Sequence, residues 1–347
     1  MVRLPVKKLF ITLLKISVSA AILGYLVWKS AQGATDAAGN HINVFDSLRN
    51  QPLDWRMLAG ATACCFVALM LTFVRWWYLV LALDISLRFR DAIRINFWGY
   101  LFNLAPLGIV GGDAVKAWML AHEHPQARAK ALASVLFDRV VGLYFLFVLA
   151  TAAICFSGFL EIDVPQIRGV CLATFVATGI GTVGLAFVLG PDLSHGRSIR
   201  ALRRIPKIGH FVESVANAVR TYSQRPAVLV ASSIMSLGVH AMNALGCYLI
   251  ARGLPWDVLP WELYFVIMPL SAVAGVLPVS VGPFELTLEF LYMHASVGVQ
   301  VLPGRGLVVA LVYRLITFVL AAFGIRYYLG NRREITEVMH EAEEETA

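Results

Sequence analysis

Six charged side chains lie within or beside long apolar segments, where an ionised group is costly unless it has a partner. They are Arg75, Lys116, Asp138, Arg139, Glu285 and Arg314. Asp138 and Arg139 are adjacent, so on a helix they point about 100° apart and each needs a partner elsewhere. Arg75, Arg94 and Lys116 are candidates for Asp138, and Glu285 can meet Arg314 across a helix bundle. These groups either form structural ion pairs or line a path for a charged lipid headgroup.

The run Gly111-Gly112-Asp113 precedes an apolar segment. It predicts the start of a short helix with Asp113 at the N-cap, because glycines permit a tight turn and a carboxylate accepts free N–H groups. The amides of such a turn can hold a phosphate, with Lys116 as the counter-charge. The alternative is that Asp113 only caps the helix. Asn103 interrupts the same segment and joins the candidate binding residues.

Motifs for nucleotide-driven or hydrolytic chemistry are missing from the sequence. There is no nucleophile elbow, Walker loop, HExxH or GxGxxG context. The five cysteines lie in apolar stretches without CxxC or Cys/His ligand spacing. We therefore expect no metal, no cofactor and no ordinary enzyme active site.

The composition indicates that these residues are positioned by a membrane-embedded fold. The chain is 59% hydrophobic and 15% charged, with a mean hydropathy of +0.71, whereas a soluble domain carries about 25% charged residues. The formal net charge of +7 comes from basic residues in short loops between apolar segments. That distribution favours a topology signal and attraction to anionic lipids over nucleic-acid binding.

Hydropathy divides the chain into six full spans and two interrupted segments. The spans are Leu9–Trp28, Met57–Leu81, Leu132–Phe159, Gly169–Leu189, Ala227–Ile250 and Leu307–Leu329. Glycines and prolines break the segments Ile93–Leu120 and Trp261–Val297, and the second break contains Pro278, Ser280 and Gly282. Each broken segment is a re-entrant hairpin or a pair of short helices. The predicted fold is therefore an all-α polytopic transmembrane bundle, with residues 1–347 forming one integral membrane domain.

The two broken segments occupy corresponding places in two halves of the chain, 57–159 and 227–329. The flanking spans run in opposite directions, which predicts an inverted-topology repeat of the kind common in secondary transporters. Irregular backbone at membrane depth must be buried in protein or line a wet cavity. The breaks therefore mark the expected binding site.

Lysine and arginine cluster on alternate loops, and this pattern predicts the orientation. It places both termini in the cytoplasm. The basic loop 191–226 is expected to lie on the inner leaflet as a surface helix, or to recruit a soluble partner. The tail 334–347 is acidic and predicts a solvated helix end.

Three stretches together resemble the lysylphosphatidylglycerol synthase transmembrane region, also called the flippase-like domain family. They are NLAPLGIVGGDAVKAWML, ASVLFDRVVGLYFL and LPVSVGPFELTLEFL. They match the family's GGD-x-x-K/R turn, its D-R pair on a long helix, and its Pro-rich break ending in a glutamate. The residues that carry the match are Gly111, Gly112, Asp113, Lys116, Asp138, Arg139, Pro278, Ser280, Gly282 and Glu285. The family's arginine before the glutamate is replaced here by Phe284, so we expect its headgroup contact to be lost or supplied by Arg314.

The resemblance implies a polytopic inner-membrane protein, a lipid flippase or transporter that moves a phospholipid or lipid-linked precursor between leaflets. It also implies that the aminoacyltransferase activity of fused relatives is absent. Its partners would be membrane lipids with an anionic or phosphate-bearing headgroup. Two alternatives stay open. One is a membrane-embedded lipid-modifying enzyme with Asp113, Asp138 or Glu285 as base. The other is a non-catalytic scaffold for a lipid-modifying enzyme or glycosyltransferase, docked through the 191–226 loop.

Overall fold

A computed structural model describes residues 6–35, 41–104, 109–189, 220–275, 281–295 and 301–330. The predicted Pro278 and Ser280, most of the 191–226 loop and the 334–347 tail lie outside these residues. The described chain is helical apart from one two-stranded antiparallel ribbon, Ala34–Thr35 with His41–Ile42. The all-α prediction is therefore confirmed.

Eleven α-helices are described, and we number them in chain order. The first seven are α1 Val6–Ala31, α2 Val44–Asn50, α3 Trp55–Leu81, α4 Phe89–Leu104, α5 Ile109–Glu123, α6 Arg128–Phe156 and α7 Pro165–Leu189. The remaining four are α8 Pro226–Gly253, α9 Trp261–Ala274, α10 Pro283–His294 and α11 Arg305–Gly330. Short 3₁₀ turns lie at Pro125–Ala127 and Phe159–Glu161.

Local sequence explains several of these helix starts. Asp54 caps α3 by accepting hydrogen bonds from the backbone N–H groups of Arg56 and Met57. Proline occupies the first position of α8 and of α10, where its missing N–H costs nothing. Gly282, before α10, has a φ of 122° that only glycine adopts without strain.

Five helices are long and apolar enough to cross a membrane. They are Trp55–Leu81, Pro125–Phe156, Pro165–Ala186, Pro226–Gly253 and Arg305–Gly324. Each overlaps one of the predicted spans. The sixth predicted span, Leu9–Trp28, lies within the 26-residue α1, whose length of about 39 Å also exceeds the hydrocarbon thickness. Between 11% and 44% of each candidate window is buried, so most of these apolar side chains face outward, as lipid-exposed surfaces do.

Each interrupted segment forms a pair of short antiparallel helices. In the first pair, Asn103 near the end of α4 contacts Gly112 near the start of α5. In the second, the hydroxyl groups of Tyr264 on α9 and Tyr292 on α10 form a hydrogen bond of 3.0 Å. The four helices have 12 to 16 residues, or about 18–24 Å, which is shorter than the hydrocarbon core. We call these pairs the first hairpin (α4–α5) and the second hairpin (α9–α10).

The helices of the two halves pack in matching ways. Helices α3 and α8, the first long helix of each half, make the most extensive helix–helix contact. The first hairpin packs on α6 through α5 and on α11 through α4. The second hairpin packs on α11 through α10 and on α6 through α9. Each hairpin therefore contacts one long helix of its own half and one of the other half.

Candidate functional site

A cavity of about 320 Å³ lies between the two hairpins and the long helices α3, α6, α8 and α11. Its lining on α3 runs from Cys65 to Phe73, at the middle of that 27-residue helix, so the cavity lies deep in the bundle. The polar lining residues are Thr72, Asn96, Tyr100, Asn103, Asn243, Tyr313 and Thr317. The charged lining residues are Lys116, Arg139 and Arg314. Within the described part of the chain, no carboxylate lines this cavity.

Arg139 is held at the cavity by a carboxylate from the first hairpin. Its Nε and Nη2 atoms donate to the two oxygens of Asp113, both at 2.6 Å. This bidentate geometry fixes the guanidinium plane. The predicted N-cap role of Asp113 is wrong, because α5 begins at Ile109 and Asp113 already lies inside the helix. Its carboxylate pairs with a neighbouring helix and does not cap its own.

Arg314 is held in the same way by the second hairpin. Its Nε and Nη2 atoms donate to Glu285 Oε1 at 2.9 and 2.6 Å. The other carboxylate oxygen of Glu285 accepts the Gly282 N–H at 2.7 Å, so this fully buried side chain also fixes the start of α10. The predictions that Glu285 lies in the first turn of a helix and meets Arg314 are both confirmed. Arg314 lines the cavity beside Phe284. Phe284 is the residue that replaces the arginine of the family pattern.

Arg75 and Asp138 form a separate buried pair outside the cavity lining. Arg75 Nε donates to Asp138 Oδ1 at 2.8 Å, and Arg75 Nη1 donates to Ser236 Oγ at 2.8 Å. The guanidinium packs against Gly142, whose carbonyl oxygen lies 2.9 Å from His240 Nε2. The pair thus joins α3, α6 and α8. The prediction of separate partners for Asp138 and Arg139 is confirmed, and Arg75 is the partner of Asp138.

The glycines of the first hairpin permit close backbone contact. A Cβ atom on Gly112 would lie 2.0 Å from the carbonyl oxygen of Gly99. The Gly112 N–H donates to Asn103 Oδ1 at 3.1 Å. The predicted phosphate-binding turn at Gly111-Gly112 is therefore wrong: the run lies within α5, and the Gly112 amide is already bound. These glycines bring α4 and α5 together and direct Lys116 past Gly99 toward the cavity.

Lys116 differs from the two cavity arginines because it has no carboxylate partner. It is 5% exposed and lines the cavity. Its ammonium nitrogen lies 4.6 Å from the centre of the Trp76 ring, a cation–π contact. Among the described residues, Lys116 forms no hydrogen bond and no ion pair. A buried cation directed at an open polar cavity is the arrangement that favours an anionic ligand.

The sequence did not identify Thr72, Tyr100, Tyr313 and Thr317 as lining residues. Threonine and tyrosine are common in apolar helices, and their hydroxyl groups can bond to their own helix, so composition gives no signal. Asn243 Oδ1 accepts the Tyr313 hydroxyl at 3.3 Å, and both residues line the cavity.

Comparison with curated proteins gives no match. The family model described as lysylphosphatidylglycerol synthase TM region matches residues 12–324. This range includes both hairpins and every residue that lines the cavity, with all three of its basic residues. The chain is a multi-pass membrane protein and belongs to the lysylphosphatidylglycerol synthase transmembrane region family.

Proposed function

We propose that this protein moves a lipid with a phosphate-bearing headgroup between the two leaflets of a membrane. Its family relates it to lipid synthesis or flipping. The observation that carries the proposal is the cavity, where Lys116, Arg139 and Arg314 converge at the depth of the bundle centre. Moving a phosphate through hydrocarbon without partners would cost several kcal/mol. The cations along the path, of which Lys116 forms no ion pair among the described residues, would offset part of that cost.

The size of the cavity fits a headgroup and excludes a whole lipid. A volume of about 320 Å³ is at the lower end of small-molecule sites. The acyl or prenyl chains would therefore stay in the bilayer while the headgroup passes through the protein. No energy source is needed for such exchange in its simplest, downhill form.

Both hairpins contribute to the cavity, which supports alternating access. Gly99, Asn103 and Lys116 line it from the first hairpin, and Gly275 and Phe284 line it from the second. Transporters built from inverted repeats bind substrate where broken helices of the two halves meet, and they move one repeat against the other. We propose the same use of the two hairpins in this protein. We also propose that the chain lies in the inner membrane with both termini in the cytoplasm, the orientation that its basic loops predict.

Reconstitution tests this function directly. Purified protein in liposomes would be mixed with a lipid labelled on its acyl chain, and a membrane-impermeant quencher would report label in the outer leaflet. We expect faster exchange than in empty liposomes, and a loss of about tenfold in rate for Arg139→Gln. Arg168→Gln is the matched control, because Arg168 pairs with Asp163 on the exposed surface.

The outcomes separate this function from the alternatives. Exchange no faster than in empty liposomes, for every lipid tried, would contradict the transporter. A new lipid species detected by mass spectrometry would favour a lipid-modifying enzyme instead. Co-purification of a glycosyltransferase, with neither exchange nor product, would favour a scaffold.

A further inference from the structure

The charges around the cavity do not balance, and the excess lies on one residue. In the first half, Arg75, Lys116 and Arg139 face the two carboxylates of Asp113 and Asp138. Two of these cations are paired, at 2.8 Å and 2.6 Å. Lys116 is the third cation and forms no ion pair among the described residues, so these five groups carry one net positive charge.

The second half does not supply the missing negative charge. Arg314 and Glu285 neutralise each other at 2.6 Å. The other buried carboxylate there, Glu289, does not line the cavity. It accepts hydrogen bonds from the backbone N–H groups of Gly304 and Leu307 at 2.6 and 2.8 Å. The cavity therefore has room for one negative charge from a ligand.

We infer that the site selects a headgroup with a single net negative charge, which means a phosphodiester whose other substituent is uncharged. This inference rests on the proposed function and names its substrate class. Such a ligand would complete the pairing of Lys116 and leave the two arginine–carboxylate pairs intact. A headgroup of zero or positive net charge would leave the charge of the buried Lys116 uncompensated.

The described lining offers no carboxylate to a ligand that carries its own ammonium group. Such a group would enter beside Lys116, Arg139 and Arg314, and like charges repel one another at short range. Two nearby aromatic rings already contact these cations: Trp76 lies against Lys116, and Phe284 lies against Arg314 with the guanidinium carbon 5.6 Å from the ring centre.

Two of the neutral lining residues, Asn103 and Asn243, can donate to a ligand rich in oxygen acceptors. Asn103 Oδ1 accepts from the Gly112 N–H, and Asn243 Oδ1 accepts from the Tyr313 hydroxyl. Each amide is thus oriented with its NH₂ group left over, and neither NH₂ group has a hydrogen-bond partner among the described residues. Phosphate oxygens and the hydroxyl oxygens of a glycerol or sugar substituent fit such donors.

Lipids with identical labelled acyl chains and different headgroups test the inference. Phosphatidylglycerol carries one negative charge, phosphatidylcholine carries none net, and lysyl-phosphatidylglycerol carries one positive charge. We expect the wild-type protein to exchange phosphatidylglycerol at least about tenfold faster than the other two. Lys116→Gln should reduce that ratio to about one to three, and Lys116→Arg should retain it. Arg168→Gln again serves as the exposed control.

Binding of the same three lipids to detergent-purified protein is measured by displacement of a fluorescent phosphatidylglycerol. This measurement distinguishes a failure of charge selectivity from a failure of transport. Equal exchange of all three lipids, or an unchanged ratio in Lys116→Gln, would overturn the charge selectivity while leaving the transporter in place. Selective binding without exchange would support the selectivity and overturn transport. Binding of none of the three would overturn both.

A water-soluble phosphodiester has the same headgroup chemistry, so radiolabelled glycerophosphoglycerol provides the last arm. If liposomes with the protein accumulate it while phosphatidylglycerol does not exchange, the charge selectivity is supported and the lipid source is wrong. If phosphatidylglycerol exchanges and the soluble compound does not enter, both the selectivity and the lipid source are supported.

Discussion

The two halves of this protein use the same linkage scheme with different chemistry. In each half, a carboxylate near the start of the hairpin's second helix holds an arginine on the following long helix: Asp113 with Arg139, and Glu285 with Arg314. In each half, the residue before that arginine bonds to the first long helix. In the first half this bond is the Asp138–Arg75 ion pair, and in the second it is the Tyr313–Asn243 hydrogen bond.

The difference between the halves lies in charge. The residue three positions after the hairpin carboxylate is Lys116 in the first half and the fully buried Leu288 in the second. The first half thus carries a buried ion pair and an unpaired cation where the second has neutral groups. The arginine–carboxylate pair that both halves share keeps two arginines at one cavity. Lys116, which has no charged counterpart at Leu288, gives that cavity its net positive charge.

Variants that break the bond between the two long helices of each half should show the largest difference in stability between the halves. Asp138→Asn leaves Arg75 buried without a counter-charge, and we expect it to lower the free energy of unfolding by about 3–5 kcal/mol. Tyr313→Phe removes one long neutral hydrogen bond and should cost about 1 kcal/mol. Denaturation in detergent measures both. Equal losses of unfolding free energy would show that the ion pair and the hydrogen bond contribute equally, which would contradict the predicted difference between the halves.

A double variant tests whether Arg75 and Asp138 are coupled as an ion pair. Arg75→Met with Asp138→Leu removes both charges, so it should be more stable than Asp138→Asn alone, because no unpaired buried charge remains. If the double variant instead loses the sum of the two single effects, the residues are not coupled as an ion pair.

Replacing each of the two cavity arginines should give a smaller difference in unfolding free energy than the first pair of variants. Arg314→Gln leaves Glu285, which is fully buried, without its cation, and we expect a loss of about 3 kcal/mol in unfolding free energy. Arg139→Gln should cost about 1 kcal/mol, because the side chain of Arg139 is 45% exposed and that of its partner Asp113 is 18% exposed. The same denaturation assay compares them. A larger loss for Arg139→Gln would contradict the burial seen here.

The hairpins also differ in how closely their helices approach. Gly112→Ala would place a methyl group against the backbone of Gly99, so the helices must separate at a cost of about 1–3 kcal/mol. Gly275→Ala in the second hairpin meets its nearest atom, the Ala272 carbonyl oxygen, at 3.2 Å and should cost less than about 1 kcal/mol. Thermal unfolding of both variants, with lipid exchange measured in parallel, checks the order. Equal effects would show that the first hairpin tolerates separation.

Much of this architecture could be predicted from the sequence because it depends on one-dimensional signals. Lengths of apolar runs and the positions of glycine and proline predicted the spans and both interrupted segments. The need for partners predicted that Asp138 and Arg139 would diverge and that Glu285 would meet Arg314. Burial of a charge is costly enough to make such predictions safe.

The errors came from residues whose role depends on distances between helices. The run Gly111-Gly112-Asp113 predicts a turn when only local preferences are considered. The structure instead uses Gly112 to bring α5 against α4, and Asp113 to reach α6. Local sequence cannot distinguish a glycine needed for a turn from one needed for a close contact. Nor could it show that Arg75 and Asp138 lie outside the cavity while Arg139 lines it.

The smallest expected effect lies where the two halves meet at the surface. Asp84 follows α3, and Arg225 precedes α8; Arg225 Nη2 donates to Asp84 Oδ1 at 2.8 Å. This hydrogen bond, with the positive charges of Arg225 and Lys130, lowers the pKa of Asp84. Arg225→Gln should raise the pKa of Asp84 toward the ordinary value of about 3.9, measurable by titration of a ¹³C-labelled aspartate carboxyl group in detergent.

The sign of the linked stability follows from that direction. Because the pKa of Asp84 is lower in the folded state, the pair stabilises the fold above the unfolded pKa, and the contribution is lost as pH falls through the folded pKa. Both side chains are exposed, so the effect on stability should be small and the wild-type and Arg225→Gln proteins should converge at low pH. Lys130→Gln is the matched comparison: it removes the smaller contribution, so it should shift the pKa of Asp84 less than Arg225→Gln does. An equal shift would show that general positive charge, and not the bond between the two halves, controls this carboxylate.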